Sequence, residues 1–368
     1  MTSHEASNEI WEDHFYKEDK RSSRKERKIA SKTDRSKYKK TDRAKAPPPV
    51  SLQRAKEALK KGRVISMSSM GVLVSAENDE WLCSLRGLLK HERTEDKNLV
   101  AVGDIVLFEE TGKGEGQIAH VEPRYSVLSR ADNLNRRKQQ LIAVNIDQVL
   151  ITASVVEPPL KPFLIDRYLI AAAKGGMQGV ILINKIDLLS QASSDERHLY
   201  REFLKAYQKA GCRLIPLSFT TGEGISALKE TMQGKTSVFS GQSGVGKTSL
   251  INLVTGQKFD TRKVVEKTGK GAHTTTHARL IPLEGEGFCI DTPGIKSFGV
   301  WNLSPKELEH YFPDIEALGH TCYFPDCSHT HEEDCAVLRA LAAKKLSPVR
   351  YDSYCFLLAS LEQKHLRR

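Results

Sequence analysis

Thr236-Ser237-Val238-Phe239-Ser240-Gly241-Gln242-Ser243-Gly244-Val245-Gly246-Lys247-Thr248-Ser249 decides how the rest of the chain reads. From Gly241 to Thr248 it spells G-x-x-x-x-G-K-T, behind a short β-branched and aromatic run. Leu250-Ile251-Asn252-Leu253-Val254 follows and can enter a helix. Strand, Gly-rich loop and helix form the context in which this pattern is a phosphate cradle. Gly241, Gly244 and Gly246 let the backbone curl, so that successive N–H groups point inward at a helix N-terminus. Ser240 to Ser249 is therefore the expected phosphate-binding stretch. Within it, Lys247 is the catalytic point charge on the β- and γ-phosphates, and the Thr248 hydroxyl ligates Mg²⁺. A Gly-rich turn before an ordinary helix is the plainer alternative, but it needs neither the Lys nor the Thr in register.

Upstream, Gly179-Val180-Ile181-Leu182-Ile183 runs into Asn184-Lys185-Ile186-Asp187. N-K-x-D at the end of a buried strand is a guanine reader. Ionised Asp187 only accepts hydrogen bonds, and guanine offers it two N–H donors where adenine does not. Asn184, the Lys185 stem and Ile186 complete the base pocket. After another strand-like run, Arg213–Leu217, comes Ser218-Phe219-Thr220-Thr221-Gly222. Ser218 and Phe219 stand where a loop supports the base.

Downstream, Lys267–His277 is Gly-rich and polar, and a hairpin (Ala278–Leu283, Phe288–Ile290) leads to Asp291-Thr292-Pro293-Gly294. A loop in this position supplies the switch threonine for Mg²⁺ and the γ-phosphate, and Thr275 is the expected residue. Asp291 is the expected carboxylate near Mg²⁺, and the Gly294 N–H the sensor of the γ-phosphate. The next residue is Ile295, where Ras-like proteins carry the Gln that orients the attacking water. Isoleucine cannot hydrogen-bond water, so His273 in the switch loop is expected to act there. The plainer reading of His273 is a structural loop histidine.

Ordinary GTPases run P-loop, switch threonine, D-x-x-G, N-K-x-D. Here the N-K-x-D and its supporting loop come first, which the same sheet accommodates if its termini are relocated by circular permutation. Ala143–Ile151 and Gly179–Ile183 read as buried parallel strands, with Leu164–Ala173 and Glu196–Ala210 as covering helices of a doubly wound α/β domain.

Before this domain lie a helical stretch, Leu52–Leu59, and five short β-rich runs: Gly62–Ser68, Gly71–Ser75, Glu80–Leu85, Asp104–Glu109 and Gly116–Val121. They fit a small closed barrel of the OB type, although an SH3-like barrel reads alike. After it, Cys322-x4-Cys327-x-His329-x5-Cys335 offers three thiolates and an imidazole, suited to one structural, tetrahedral Zn²⁺. His331 and, more weakly, His320 compete for the fourth ligand. Pro305–Leu318, Ala336–Lys345 and Tyr351–Glu362 read as flanking helices. Cys83, Cys212, Cys289 and Cys355 read as core residues.

No window approaches eighteen consecutive apolar residues, so no transmembrane helix is expected. Met1–Tyr16 has no Lys or Arg and no apolar core, so no secretory signal is read, and seven cysteines then fit a reducing cytoplasm. The net charge of +10 is uneven. Lys17–Lys45 holds 14 Lys/Arg against five Asp/Glu, a surplus of nine, lacks apolar periodicity and ends at Pro47-Pro48-Pro49. It reads as a disordered arm that binds polyanions by counterion release, or else merely solubilises. The expected organisation is a basic arm (1–49), an OB-fold RNA-binding barrel (50–125), a permuted GTPase domain (126–300) and a helical zinc domain (301–368).

N-K-I-D, G-x-S-G-V-G-K-T-S, G-K-G-x-H-T-T-T, D-T-P-G-I and C-x4-C-x-H-x5-C occur here in one order. Over about residues 50 to 365, this order resembles the bacterial, circularly permuted, ribosome-small-subunit-dependent GTPase family. The resemblance implies an N-terminal OB-fold, a C-terminal zinc domain, and zinc held by Cys322, Cys327, His329 and Cys335. It also implies a hydrophobic residue in place of the catalytic Gln, as at Ile295, with His273 as the switch histidine. The implied activity is GTP hydrolysis to GDP with Mg²⁺, in late maturation of the small ribosomal subunit, with binding to its rRNA. A cytoplasmic monomer with no membrane partner is expected. The arm before Pro47 lies outside the resemblance, and Phe219-Thr220 departs from the small or polar residues usual in the supporting loop. Asp187 argues against an ATPase or kinase. The complete set Lys247, Thr248, Thr275 and Asp291 argues against a zinc-containing RNA-binding protein with a vestigial nucleotide site.

Overall fold

The computed structural model describes residues 59–77, 79–85, 99–131, 139–257, 278–291 and 303–366. The basic arm, and all of the Leu52–Leu59 stretch except Leu59, lie outside them.

Five strands build the barrel: β1 (Lys60–Met67), β2 (Val72–Ala76), β3 (Asp79–Leu85), β4 (Ile105–Gly112) and β5 (Glu115–Val121). Their order is β1-β2-β3-β5-β4, and β4 returns to pair with β1, which closes the sheet in the OB manner. In β2, Val72, Val74 and Ala76 are buried while Leu73 and Ser75 are only half-buried, the period-two pattern of a strand with one core face. Trp81, Cys83, Phe108 and Ile118 join them inside, and the rings of Trp81 and Phe108 lie 5.6 Å apart.

A hairpin of β6 (Val127–Ala131) and β7 (Gln139–Val144) leads into the α/β domain. There β8 (Gln148–Ser154), β9 (Gln178–Asn184), β10 (Arg213–Pro216), β11 (Thr236–Gly241) and β13 (Phe288–Asp291) run parallel, in the order β10-β9-β8-β11-β13, and β12 (Arg279–Pro282) is antiparallel to β13. Every residue of β8 and β11 is buried, because helices cover both faces of the sheet. These are α1 (Pro162–Lys174), α2 (Ser194–Lys209), α3 (Ile225–Met232) and α4 (Lys247–Thr255).

Ala143–Ile151 is not the single strand expected from its apolar run. It is the end of β7 and the start of β8, broken at Asn145, which is left-handed with φ 55°. The Asn145 side chain holds the break, accepting from Tyr125 N at 3.1 Å and donating to Gly103 O at 3.0 Å. Asparagine tolerates this backbone region because its amide can bond locally.

Pro305–Leu318 is likewise not one helix. Two single 3₁₀ turns, Pro305–Glu307 and Glu309–Tyr311, precede α5 (Pro313–Gly319). Phe312 is pushed out of the helical region (φ −121°, ψ 79°), as expected of a residue before proline. The helix after Cys335, α6 (Ala336–Ala342), stops short of Lys345, and α7 (Pro348–Leu366) outruns the expected Tyr351–Glu362. Leu308, Phe312, Ile315, Val337, Tyr354 and Leu358 form the core here, and Ile170 of α1 belongs to the same cluster. Cys83 and Cys289 are buried and Cys212 and Cys355 half-buried, each against apolar neighbours.

Two joints tie the parts together. At one, β1 of the barrel pairs with β12 at Ser66 and Arg279, so barrel and α/β sheet form one continuous eleven-stranded sheet. At the other, Arg350 of α7 bonds the Asp166 carboxylate of α1, and both side chains are 2% exposed. Asp314 of α5 takes the rest of the guanidinium through two bonds of 3.0 Å. Asp166 also accepts from Tyr207 Oη of α2 at 2.5 Å and from Ser353 Oγ.

Candidate functional site

The C-terminal ends of β9, β10, β11 and β13 converge on one side of the sheet, where open α/β sheets bind their ligands. At the end of β11 the backbone passes so close to β8 that only glycine fits. A Cβ on Gly241 (φ 138°) would lie 2.0 Å from Thr152 O. Ser240 is buried at the strand end, and Gln242 to Gly246 form the turn. Lys247 opens α4, and Thr248 and Ser249 fill its first turn. The Lys247 ammonium folds back over the loop, donating to Gly241 O at 2.8 Å and Gln242 O at 2.7 Å. Burial pulls it down to about 8, a cost that phosphate charge at the helix N-terminus would reverse.

Asn184 ends β9 and ties the base reader to the phosphate loop. Its Nδ2 donates to Val245 O at 2.8 Å, and its Oδ1 accepts from Phe219 N at 3.2 Å. The fit is close: a Cβ on Gly246 (φ 93°) would lie 2.4 Å from that Nδ2. Lys185 is left-handed (φ 64°), and its Nζ donates to Glu157 O at 2.5 Å. Ile186 N donates to Leu217 O at 3.4 Å, and a 3₁₀ turn carries Asp187. Ser218, fully buried, donates from Oγ to Asp187 Oδ1 at 2.6 Å and accepts from Thr221 N at 3.1 Å. The structure therefore brings Asn184, Asp187, Ser218, the backbone of Phe219 and the phosphate loop into one connected unit. The Phe219 ring itself is 46% exposed.

Asp291 is the last residue of β13, the strand beside β11. Burial pushes its carboxyl up, and a divalent cation beside it would favour the charged form. His273, Thr275, Gly294 and Ile295 lie outside the described residues.

The ligand atoms of Cys322, Cys327, His329 and Cys335 all lie within 4.8 Å of one another. A tetrahedral zinc with bonds of about 2.3 Å to sulfur and about 2.0–2.1 Å to nitrogen gives S···S edges of about 3.8 Å and S···N edges of about 3.6 Å. Here Cys322 Sγ to Cys335 Sγ is 3.9 Å, and His329 Nδ1 lies 3.6 and 3.5 Å from those two sulfurs. The cluster fits one zinc ion. His329 is 1% exposed and left-handed (φ 61°), with its Nε2 3.3 Å from Glu309 Oε1. His331 points elsewhere, exposed and bonded to Thr330 Oγ1, and His320 caps α5 outside the cluster.

Glu157, whose carbonyl holds Lys185, carries no sequence signal, because a backbone acceptor can come from any residue. Asp166 does carry one: an acid amid the apolar run Leu164–Ala173.

A sequence model of the RsgA GTPase family matches residues 121–301. The small ribosomal subunit biogenesis GTPase RsgA of Chlorobaculum parvum is 41% identical over 278 residues, covering 73% of this chain and 88% of that protein. The protein of the same name from Bacteroides fragilis is 34% identical, covering 83% and 99%. Among solved structures, YjeQ from Thermotoga maritima aligns with a TM-score of 0.66 at 31% identity, over 82% of this chain and 98% of that one. YloQ, a circularly permuted GTPase, aligns with a TM-score of 0.66 at 26% identity, over 84% and 97%. With its strand order, its phosphate loop following its base reader and its Cys₃His cluster, the chain belongs to the RsgA GTPase family.

Proposed function

We propose that this protein hydrolyses GTP to GDP and phosphate as a late assembly factor of the small ribosomal subunit. The observation that carries the reading is the Asn184 amide, which bonds the phosphate loop and the base-supporting loop at once and so joins base recognition to phosphate binding. Asp187, oriented by Ser218, reads guanine. The loop N–H groups and Lys247 hold the phosphates. Thr248, Asp291 and Thr275 would hold Mg²⁺, which when bound neutralises charge developing on the phosphates. Gly294 senses the γ-phosphate, and His273 orients the attacking water in place of the Gln that Ile295 replaces. Cys322, Cys327, His329 and Cys335 hold a structural zinc with no open position. The barrel and the zinc domain bind rRNA of the subunit, and the protein works as a cytoplasmic monomer.

Steady-state phosphate release tests this reading. Alone, the protein should turn over in the slow intrinsic range of about 10⁻⁴ to 10⁻² s⁻¹. Small subunits should raise the rate at least about ten-fold, and large subunits much less, by ordering the switch loop around the water. His273→Ala should remove about 10²-fold of the stimulated rate while leaving GTP affinity nearly unchanged. Fast turnover without subunits, or indifference to them, contradicts the proposal.

A further inference from the structure

The barrel and the nucleotide-binding sheet meet at Arg63. It precedes the core residue Val64 on β1, so its side chain leaves the barrel on the opposite face. Arg63 Nη2 donates to Thr236 Oγ1 at 2.8 Å and to Asn145 O at 3.0 Å, and the guanidinium lies 4.7 Å from the centre of the Phe288 ring. Thr236 and Phe288 are the first residues of β11 and β13, and they pair with each other. One guanidinium thus grips the beginnings of the two strands whose ends carry the phosphate loop and Asp291.

The grip is built from several sides. Thr236 N donates to Asp147 Oδ2 at 2.6 Å. Tyr125 Oη donates to Asp147 Oδ1 at 3.0 Å and to Asn145 O at 2.8 Å. Burial pulls Arg63 down, with the Tyr125 and Asp147 charges opposing it, and its Nε is buried without an acceptor among the described residues. A half-buried, incompletely paired cation adds little stability, so glue between the barrel and the α/β sheet is a poor account of it. A third attachment lies beside it: β1 pairs at Ser66 with Arg279, just beyond the expected switch loop Lys267–His277.

The nucleotide-bearing segments are therefore anchored to one barrel strand. β11 is wholly buried between β8 and β13, and at about 3.3 Å per residue it spans about 16 Å from Thr236 to Gly241. A close-packed interior transmits displacement instead of absorbing it. We propose that Arg63 is a positioning residue, conveying the seating of the barrel on RNA to the phosphate loop and Asp291 through the starts of β11 and β13. The inference rests on the subunit-stimulated hydrolysis proposed above.

The test is a double-mutant cycle in the full-length protein, because spatial proximity alone does not establish coupling. Steady-state hydrolysis with and without small subunits, GDP affinity and subunit co-sedimentation are measured for wild type, Arg63→Met, Arg63→Lys, Thr236→Val and the Arg63→Met/Thr236→Val pair. Arg63→Met should keep the unstimulated rate, GDP affinity and subunit binding within about two-fold, yet lose at least about five-fold of the stimulation. Thr236→Val, which removes only the acceptor, should lose part of it, and the pair no more than Arg63→Met alone. Arg63→Lys, retaining a charged donor, should recover some. If Arg63→Met fails to fold, Thr236→Val carries the test by itself. Full stimulation in the variants overturns the inference, as do equal losses with and without subunits, or additive losses in the pair. A wild-type protein that ignores subunits removes the ribosomal reading as well, whereas normal wild-type stimulation alongside unaffected variants removes only the role of Arg63.

Discussion

A carboxylate separates guanine from adenine only when it is held still and kept an acceptor. Ser218 Oγ fixes one oxygen of Asp187 from below, leaving the geometry of the other to the base. Asp187→Asn turns an acceptor into a donor that faces guanine N–H groups, a mismatch of about 1–3 kcal/mol. GTP affinity should fall about 10- to 100-fold while xanthosine triphosphate gains, and calorimetric titration of both nucleotides checks it. Undiminished GTP affinity would take the base-reading role from this residue. Such residues are legible in sequence because the chemistry demands their type at a fixed spacing. Arg63 and Arg350 are not, and Asp166 shows only as an acid within an apolar run, without its partner. Asp166 and Arg350 lie 184 positions apart, and nothing in either local pattern names the other.

At the scale of the element, the zinc loop shows what spacing can and cannot decide. The spacing and the resemblance name the three cysteines and His329 and leave His331 and His320 as competitors, and the fold groups the first four within 4.8 Å. His329 has a left-handed backbone, and its ring lies 1% exposed beside the three sulfurs. Metal analysis should find one zinc per chain, lost in Cys327→Ser and His329→Ala and kept in His331→Ala. Because structural zinc supports folding outright, those losses should loosen the residues beyond Leu303 while GDP binding persists. Zinc retained by His329→Ala and lost by His331→Ala would reverse the ligand choice. Elsewhere the barrel strands were legible to within two or three residues, since alternating burial writes itself into alternating residue types. Ala143–Ile151 hid its break because both halves are buried, so the polar residues at the break, Asn145, Asp147 and Gln148, read as part of one strand. Pro305–Leu318 concealed two 3₁₀ turns behind a helical composition, although Pro313 marked where the last helix had to start.

At the scale of the whole molecule, a buried ion pair joins α7 to α1. Burial works against the charge on Arg350, but Asp166 and Asp314 more than offset this and hold the guanidinium above its ordinary range. Arg350→Leu strands Asp166, which is 2% exposed, and should destabilise the protein by about 3–5 kcal/mol in denaturant titration. A loss below about 1 kcal/mol would mean that the joint is merely a surface pair. The basic arm belongs to this scale too. Deleting residues 1–46 removes all of its lysines and arginines, so RNA binding should depend less steeply on salt. An unchanged slope would leave the arm a solubilising tail.

The position of β11 also sets the order in which the protein can be made. β8, buried throughout, is finished at Ser154, while its neighbour β11 begins at Thr236, about 80 residues later. At about 5–20 residues per second, a growing chain carries the bare inner edge of β8 for several seconds, with only β9 and β10 on its other side. In an unpermuted GTPase the phosphate-loop strand is synthesised near the beginning; here the sheet is completed from its flank toward its centre. Nascent chains arrested before Thr236 should be cut by protease within β8, and those arrested after Asp291 should resist it. An assembly factor for ribosomes thus passes through its own most aggregation-prone stage while still attached to one.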